Sequence, residues 1–169
     1  FESLENSDSP RKVSYQLSAV RVDKFADSKD PISYFVSPEN ELVSVTKSLP
    51  LGNWEFLLPG VYSLELNGTK LTINVEKGEI KVIRPSSIAV LTSFKNDQPN
   101  ATDIKGAPQL VEMNSGHWLN FNETYPILPG KSVVQIKGSA RKFEFVIEEG
   151  DSKVFRTKSV TIKQGCSPW

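Results

Sequence analysis

Residues 58–78 read LPGVYSLELNGTKLTINVEKG, and this stretch decides the fold of the 169-residue chain. Apolar and polar residues alternate on both sides of Asn67-Gly68, a pair that favours a two-residue type I′ hairpin turn. That turn sets three facing pairs: Leu66 with Thr69, Leu64 with Leu71, and Tyr62 with Ile73. All six side chains then share one face, so the turn and the apolar pattern predict the same register.

The pattern occurs a second time. Residues 128–150 read LPGKSVVQIKGSARKFEFVIEEG, with a two-residue insertion at the hairpin tip. The predicted facing pairs here are Val134 with Phe143 and Ile136 with Arg141, closed by the loop 137–140. Val82-Ile83-Arg84 also recurs, as Val154-Phe155-Arg156. We interpret the match as an internal duplication of a β module.

Two further echoes lie upstream of the hairpins. Residues 41–45 resemble residues 109–113, and Gly52-Asn53-Trp54 resembles Gly116-His117-Trp118. The repeat places one module at residues 1–84 and the other at 85–169, with a boundary as late as residue 94. Residues 87–94 either close the first module or open the second. In the second case, residues 158–163 begin a further module.

The class predicted for both modules is all-β. No window of eleven residues sustains helical spacing, and 11 prolines with 10 glycines suit short strands joined by turns. We expect two tandem small antiparallel β-sandwiches, Ig-like or transthyretin-like. A module of this size buries only roughly 60–65% of its unfolded surface, so we expect the two modules to share an interface.

The charge of the chain argues against one class of partner, and its hydropathy argues against a membrane-spanning segment. The chain has 20 basic and 20 acidic residues and no polybasic run, which argues against nucleic acid. No stretch approaches 18 consecutive apolar residues, so we expect no membrane-spanning segment. The chain begins at Phe1 rather than Met, which fits either a removed signal peptide or an excised domain.

The opening of the first hairpin, Pro59-Gly60-Val61-Tyr62-Ser63-Leu64, carries a family resemblance. It resembles PEGA-like and transthyretin-like (carboxypeptidase-regulatory-like) repeats of bacterial β-sandwich proteins. The second copy departs from this opening, with Ser132 in place of Tyr62. The resemblance implies a non-catalytic accessory or adhesive module outside the cytoplasm, in the periplasm, on the cell surface or secreted.

The residues that usually carry catalysis or bind metals are scarce. His117 is the only histidine and Cys166 the only cysteine, so neither a zinc site nor an intrachain disulfide can form. No Gly-x-Ser-x-Gly elbow is present. We therefore expect no catalytic residue, no metal and no cofactor. The acidic turns at residues 76–79 and 148–151 are the one calcium alternative, and they lack the Asp-rich loop of a calcium site.

Trp54 and Trp118 admit two interpretations. Exposed loop aromatics stack on sugar rings, which makes Trp54, Trp118 and the neighbouring His117 candidate ligand-binding residues. Large aromatics more often fill the end of a core, and both copies keep the tryptophan, which favours that structural role.

These observations leave two functional hypotheses. The first is a non-catalytic module that serves adhesion, spacing or docking to a protein partner. The alternative is a carbohydrate-binding module with a polysaccharide ligand.

Overall fold

A computed structural model describes residues 17–26, 31–39, 45–91, 94–96, 111–113, 117–137, 140–156 and 160–162. These residues contain sixteen β-strands and no helix, which confirms the all-β class. Cys166 and residues 41–44 lie outside this part of the chain. The strands are β1 Ser18–Val22, β2 Ser33–Pro38, β3 Lys47–Pro50, β4 Glu55–Leu57, β5 Gly60–Leu66, β6 Thr69–Val75, β7 Ile80–Ile83, β8 Ser86–Leu91, β9 Phe94–Asn96, β10 Val111–Met113, β11 His117–Leu119, β12 Thr124–Ile127, β13 Gly130–Ile136, β14 Lys142–Ile147, β15 Ser152–Arg156 and β16 Val160–Ile162.

The strands of the first half (residues 17–84) form two sheets, with orders β3-β2-β5-β6 and β4-β1-β7. In the second half (residues 85–162) the corresponding orders are β11-β10-β13-β14 and β12-β8-β15, and β9 pairs with β16. Each sheet of the first half therefore has a counterpart of the same strand order in the second.

The three-stranded sheets are mixed. β1 runs antiparallel to β4 and parallel to β7, and β8 likewise runs antiparallel to β12 and parallel to β15. The prediction of purely antiparallel sheets is therefore wrong. A parallel pair needs a long crossover connection, and here most of each half separates the two paired strands along the chain.

The first hairpin has the predicted register. Leu66 pairs with Thr69, Leu64 with Leu71 and Tyr62 with Ile73. Asn67 and Gly68 both have positive φ, 47° and 78°, as a type I′ turn requires. In the second hairpin Val134 pairs with Phe143 as predicted, but the ladder ends one step before Ile136 and Arg141.

One hydrogen bond recurs at the start of each half. The Ser18 hydroxyl donates to the Glu76 carbonyl oxygen at 2.6 Å, and the Ser86 hydroxyl donates to that of Glu148 at 2.5 Å. β8 thus holds the position in the second half that β1 holds in the first. This favours the interpretation that residues 87–94 open the second half. β16, however, pairs with β9 of that same half.

The predicted alignment of the two halves upstream of the hairpins is wrong. Gly52 donates its N–H to the Val22 carbonyl oxygen, and Asn122 donates its own to that of Val90. Both residues have positive φ, 89° and 61°, so Asn122 is the counterpart of Gly52. By this register Trp54 corresponds to Thr124. The two tryptophans of the shared Gly-x-Trp spacing thus lie at different places in the fold, Trp54 before β4 and Trp118 in β11.

Strand pairing also identifies the first-half counterparts of Trp118 and Met113. Trp118 of β11 pairs with Glu112 of β10, and Ser48 of β3 pairs with Phe35 of β2 in the same way. The counterpart of Trp118 in the first half is therefore Ser48. Met113 pairs with Val134 as Val36 pairs with Leu64, so Met113 corresponds to Val36 and not to Val45.

The buried apolar residues form two cores, one for each half. The first contains Val20, Val22, Tyr34, Val36, Leu51, Leu57, Leu64, Leu66, Ile73, Val75, Ile83 and Leu128. The second contains Ile88, Val90, Val111, Met113, Leu119, Phe121, Ile127, Val134, Phe145 and Ile147. Burial raises the pKa of Tyr34 to about 12, and its hydroxyl donates to the Asn53 carbonyl oxygen at 2.8 Å.

The tip of the first hairpin connects the two halves. Asn67 Nδ2 donates to the Pro126 carbonyl oxygen at 2.8 Å, and the Leu128 N–H donates to Thr69 Oγ1 at 2.8 Å. Leu128 belongs to the second half by sequence but packs into the first core. The expected interface between the halves is therefore present in the structure.

Candidate functional site

The candidate site is the outer face of the β4-β1-β7 sheet. Because strand side chains alternate, Val20 and Val22 of β1 point into the core while Ala19 and Arg21 point outward. Ala19 pairs with Phe56 of β4 on one side and Ile80 of β7 on the other. These three side chains therefore form a row across the sheet.

The outward side chains of this sheet are mostly large and apolar. Phe56 is 62% exposed and Ile80 is 71% exposed. Leu58, directly after β4, is 64% exposed. We define the apolar face as the set Trp54, Phe56, Leu58, Ile80 and Val82, with Ala19 and Arg21 between them. A contiguous apolar surface of this kind is typical of a binding site.

Arg21 is the single charged residue of the apolar face. Its guanidinium carbon lies 4.5 Å from the centroid of the Trp54 ring, and one terminal nitrogen lies 2.8 Å from Asp23 Oδ1. The Nε atom is buried and makes no hydrogen bond within the described part of the chain. These contacts hold the guanidinium over the indole ring.

The corresponding face of the second half has fewer large apolar side chains, although Val154, the counterpart of Val82, is 49% exposed. Ser87 takes the place of Ala19, Thr124 that of Trp54, and Ser152 that of Ile80, by the pairing registers. The Ser87 and Ser152 hydroxyls are 2.7 Å apart and hydrogen-bonded to each other. Two sheets of the same strand order thus expose surfaces of different chemistry.

The three predicted ligand-binding residues are not brought together. Trp54 precedes β4 in the first half, whereas His117 and Trp118 lie in β11 of the second. Trp118 is half-buried beneath the Lys137 ammonium, whose nitrogen lies 5.6 Å from the ring centroid. His117 packs against the Gly68 turn.

The structural role predicted for Trp54 is also wrong. Its side chain lies on the outer face and not at the end of a core.

Sequence reasoning missed the other members of the apolar face. Phe56, Ile80 and Val82 stand at alternate positions of short strands, each of which also has an inward apolar residue, Leu57 in β4 and Ile83 in β7. The available signal was the presence of apolar residues at both odd and even positions of a short strand. One set must face the core, so the other set must point outward.

The acidic turns have structural roles. Glu79 Oε2 accepts the N–H of Glu76 at 2.8 Å, and this hydrogen bond, together with one from Lys81, lowers the pKa of Glu79. In the second half, Glu149 Oε1 accepts the N–H of Arg84. Among the residues described, no three His, Cys, Asp or Glu side chains are grouped so as to hold a metal ion.

Comparisons with known proteins assign no family. No family model matches the chain, and no curated protein matches it. Three solved structures show low similarity. The Bacillus anthracis TIE protein is 15% identical, with a TM-score of 0.27, over 88% of this chain and 34% of its own. A leucine-rich repeat protein from Bacteroides thetaiotaomicron is 10% identical, with a TM-score of 0.28, over 87% and 26%.

The third structure is GBS52, the minor pilin of Streptococcus agalactiae. It is 8% identical, with a TM-score of 0.26, over 90% of this chain and 99% of its own. The chain thus spans about a third and about a quarter of the first two proteins. TM-scores this low support no functional inference.

The described residues contain no helix long and apolar enough to cross a membrane.

Proposed function

We propose that the chain is a non-catalytic module that docks a protein partner through the apolar face. The observation that carries this proposal is the contrast between matched sheets. Phe56 and Ile80 are exposed on the first half, where the second half has Pro126 and Ser152. The fold does not require apolar residues there, so their presence in one half favours a role in binding.

The composition of the face suits a protein partner. Tryptophan, phenylalanine and arginine are enriched in protein interfaces, and tryptophan and arginine are common energetic hot spots. Arg21 already lies against Trp54, so a partner that covers them meets a pre-ordered pair. Ile80 and Val82 add aliphatic area, which buries well against a protein.

Carbohydrate binding is the second candidate, and one observation favours it. Trp54 and Phe56 are two aromatic side chains on one sheet face, an arrangement that can stack on sugar rings. Arg21, however, already covers part of the indole. Any sugar would have to displace the guanidinium or use the remaining ring face.

We also infer that the two halves are tandem β-sandwiches derived by duplication, at residues 1–84 and 85–169. The matched strand orders support this inference, as do the paired hydrogen bonds of Ser18 and Ser86. The extracytoplasmic location, in the periplasm, on the cell surface or secreted, and the kinship with transthyretin-like repeats are part of the same proposal.

A pair of single-residue variants separates protein from sugar. Titration with a panel of polysaccharides, followed by tryptophan fluorescence, should leave the wild-type spectrum unchanged. If a polysaccharide quenches the wild-type chain and the Trp118→Phe variant but not Trp54→Phe, the apolar face binds carbohydrate and the docking proposal fails.

A third variant tests the apolar face directly. Ile80→Glu should abolish recovery of the partner protein from extracts of the producing cells. Val146→Glu introduces the same charge at a residue that is 62% exposed on the second half, and it should have no effect. Equal recovery with both variants would contradict the proposal.

A further inference from the structure

Among the residues that the structure describes, none closes one end of the second core. A cavity of about 270 Å³ lies there between the two sheets of the second half. Its base is formed by the core residues Val90 and Val134, and Phe143 at its rim is exposed. The lining residues are Val90, Val134, Ile136, Arg141, Phe143, Phe155 and Arg156.

The same end of the first core is closed. The pairing registers give the counterparts of the lining residues as Val22, Leu64, Leu66, Thr69, Leu71, Ile83 and Arg84. Leu128 of the second half is fully buried in this core, and its N–H donates to Thr69 Oγ1. The cavity therefore lies where the second half would receive a residue equivalent to Leu128.

Charge adds a second requirement for the occupant. At the closed end, the Glu149 carboxylate of the covering half accepts the backbone N–H of Arg84. At the open end, Arg156 is the counterpart of Arg84, and Arg141 replaces Thr69 at the rim. The equivalent backbone N–H, together with two positively charged side chains at the cavity, favours a carboxylate next to the inserted side chain.

We propose that the open end of the second core is a docking site for a β-module that presents an aliphatic side chain beside a carboxylate. Leu128 and Glu149 provide the template, because they cover the equivalent end of the first core within this chain. The site lies in the second half and the apolar face in the first, so the proposal concerns a different binding surface, although the test below also uses Leu58 of the apolar face.

The first half of this chain carries an incomplete version of the covering surface. Leu58 is the counterpart of Leu128 in the Leu-Pro-Gly turn, and it is exposed. Lys77, however, stands where the second half has Glu149. Head-to-tail docking of two copies would therefore insert an apolar side chain but place Lys77 against Arg156, and like charges disfavour it.

Replacing that lysine supplies the missing carboxylate. Lys77 is exposed in the turn between β6 and β7, so Lys77→Glu leaves the fold intact. Sedimentation velocity over a concentration series at low salt should show head-to-tail association of the variant at least about tenfold tighter than that of the wild type. Arg156→Glu alone should also strengthen association, because Lys77 then faces a glutamate.

Second-site changes identify the surfaces involved. Adding Leu58→Asp to Lys77→Glu should abolish the gain, because the inserted side chain is lost. Lys77→Glu with Arg156→Glu should abolish it as well, since two glutamates then oppose each other. Lys70→Glu makes the same change of net charge on an exposed residue at the other end of the first hairpin, and should leave association unchanged.

Two outcomes would overturn the proposal. One is that neither Lys77→Glu nor Arg156→Glu associates more tightly than the wild type. The other is a gain that persists when Leu58→Asp is added, because association would then use another surface.

Discussion

Leu58 and Leu128 occupy the same position in two Leu-Pro-Gly segments, yet Leu58 is 64% exposed and Leu128 is fully buried. The two halves have sheets of the same strand order, but they differ in whether another residue covers this leucine. Leu128 closes the core of the other half, whereas no described residue of this chain covers Leu58. The comparison shows that one position serves as core or as surface according to its neighbour.

The outer sheet faces differ in the same way. Inward positions of both halves stay apolar, because the strand register depends on them. Outward positions are free to vary: Phe56 and Ile80 of the first half correspond to Pro126 and Ser152 of the second, whereas Val82 corresponds to Val154. A surface that the fold does not constrain is where binding chemistry is most readily recognised.

The largest effect should come from the glycine at the tip of the first hairpin. Gly68 and Gly150 have nearly equal φ, 78° and 79°. A Cβ on Gly68 would lie 2.5 Å from His117 Cβ, whereas one on Gly150 meets nothing within 4 Å. Gly68→Ala should therefore cost about 3–5 kcal/mol, from strain and overpacking together. Gly150→Ala should cost only the strain, about 1–2 kcal/mol.

Urea unfolding of these two variants measures the contribution of the junction. Equal losses would mean that the hairpin tip does not pack against the second half.

The next effect separates the two leucines. Leu128→Ala removes a buried side chain from the first core and should destabilise the chain by about 2–4 kcal/mol. Leu58→Ala alters an exposed residue and should change the free energy of unfolding by less than about 0.5 kcal/mol. Chemical denaturation of both variants tests this, and similar values for the two would contradict the assigned burial.

Alkaline pH should distinguish the first half from the second. Tyr34 is buried in the first core, and its counterpart by strand pairing is Val111. Because the folded-state pKa is raised to about 12, the stabilisation by neutral Tyr34 is complete below pH ~10, the unfolded value, and is lost as pH rises towards 12. The expected loss is about 2 kcal/mol.

Unfolding free energies measured across this pH range for the wild type and Tyr34→Phe test the effect. The variant should lack the steep part of the decline, and parallel curves would show that Tyr34 does not cause it.

The smallest effect on stability should come from the apolar face. Phe56→Ser and Ile80→Ser alter exposed side chains, so each should change the free energy of unfolding by less than about 0.5 kcal/mol. Both should reduce binding of an apolar fluorescent dye, while Val146→Ser should reduce it less. Strong destabilisation by either variant would mean that the face is part of a core.

The hairpin was predictable because two independent constraints coincide there. Asn67-Gly68 fixes the turn and the alternation fixes the face, so the register followed from the sequence. The upstream alignment of the halves was not predictable. β3 and β11 are short strands, and each is followed by an irregular segment. There the shared Gly-x-Trp pattern was a stronger sequence signal than the structural match of Gly52 with Asn122.

The candidate site was only partly predictable. Trp54 was identified from its residue type, but its partners on the face come from three strands that are distant in the sequence. The parallel pairing of β1 with β7 brings Ile80 beside Ala19, and no local pattern encodes that contact. Trp118 and His117 were identified from the same false echo, and the structure places them elsewhere.

Site-specific photo-crosslinking tests most directly the claim that the first half docks a partner where the second does not. Benzoylphenylalanine replaces Ile80 in one variant and its exposed counterpart Ser152 in another. In extracts of the producing cells, position 80 should crosslink to one protein, and added Phe56→Glu should abolish that product. Position 152 should give none. Equal crosslinking from both positions, or none from position 80, would contradict the account.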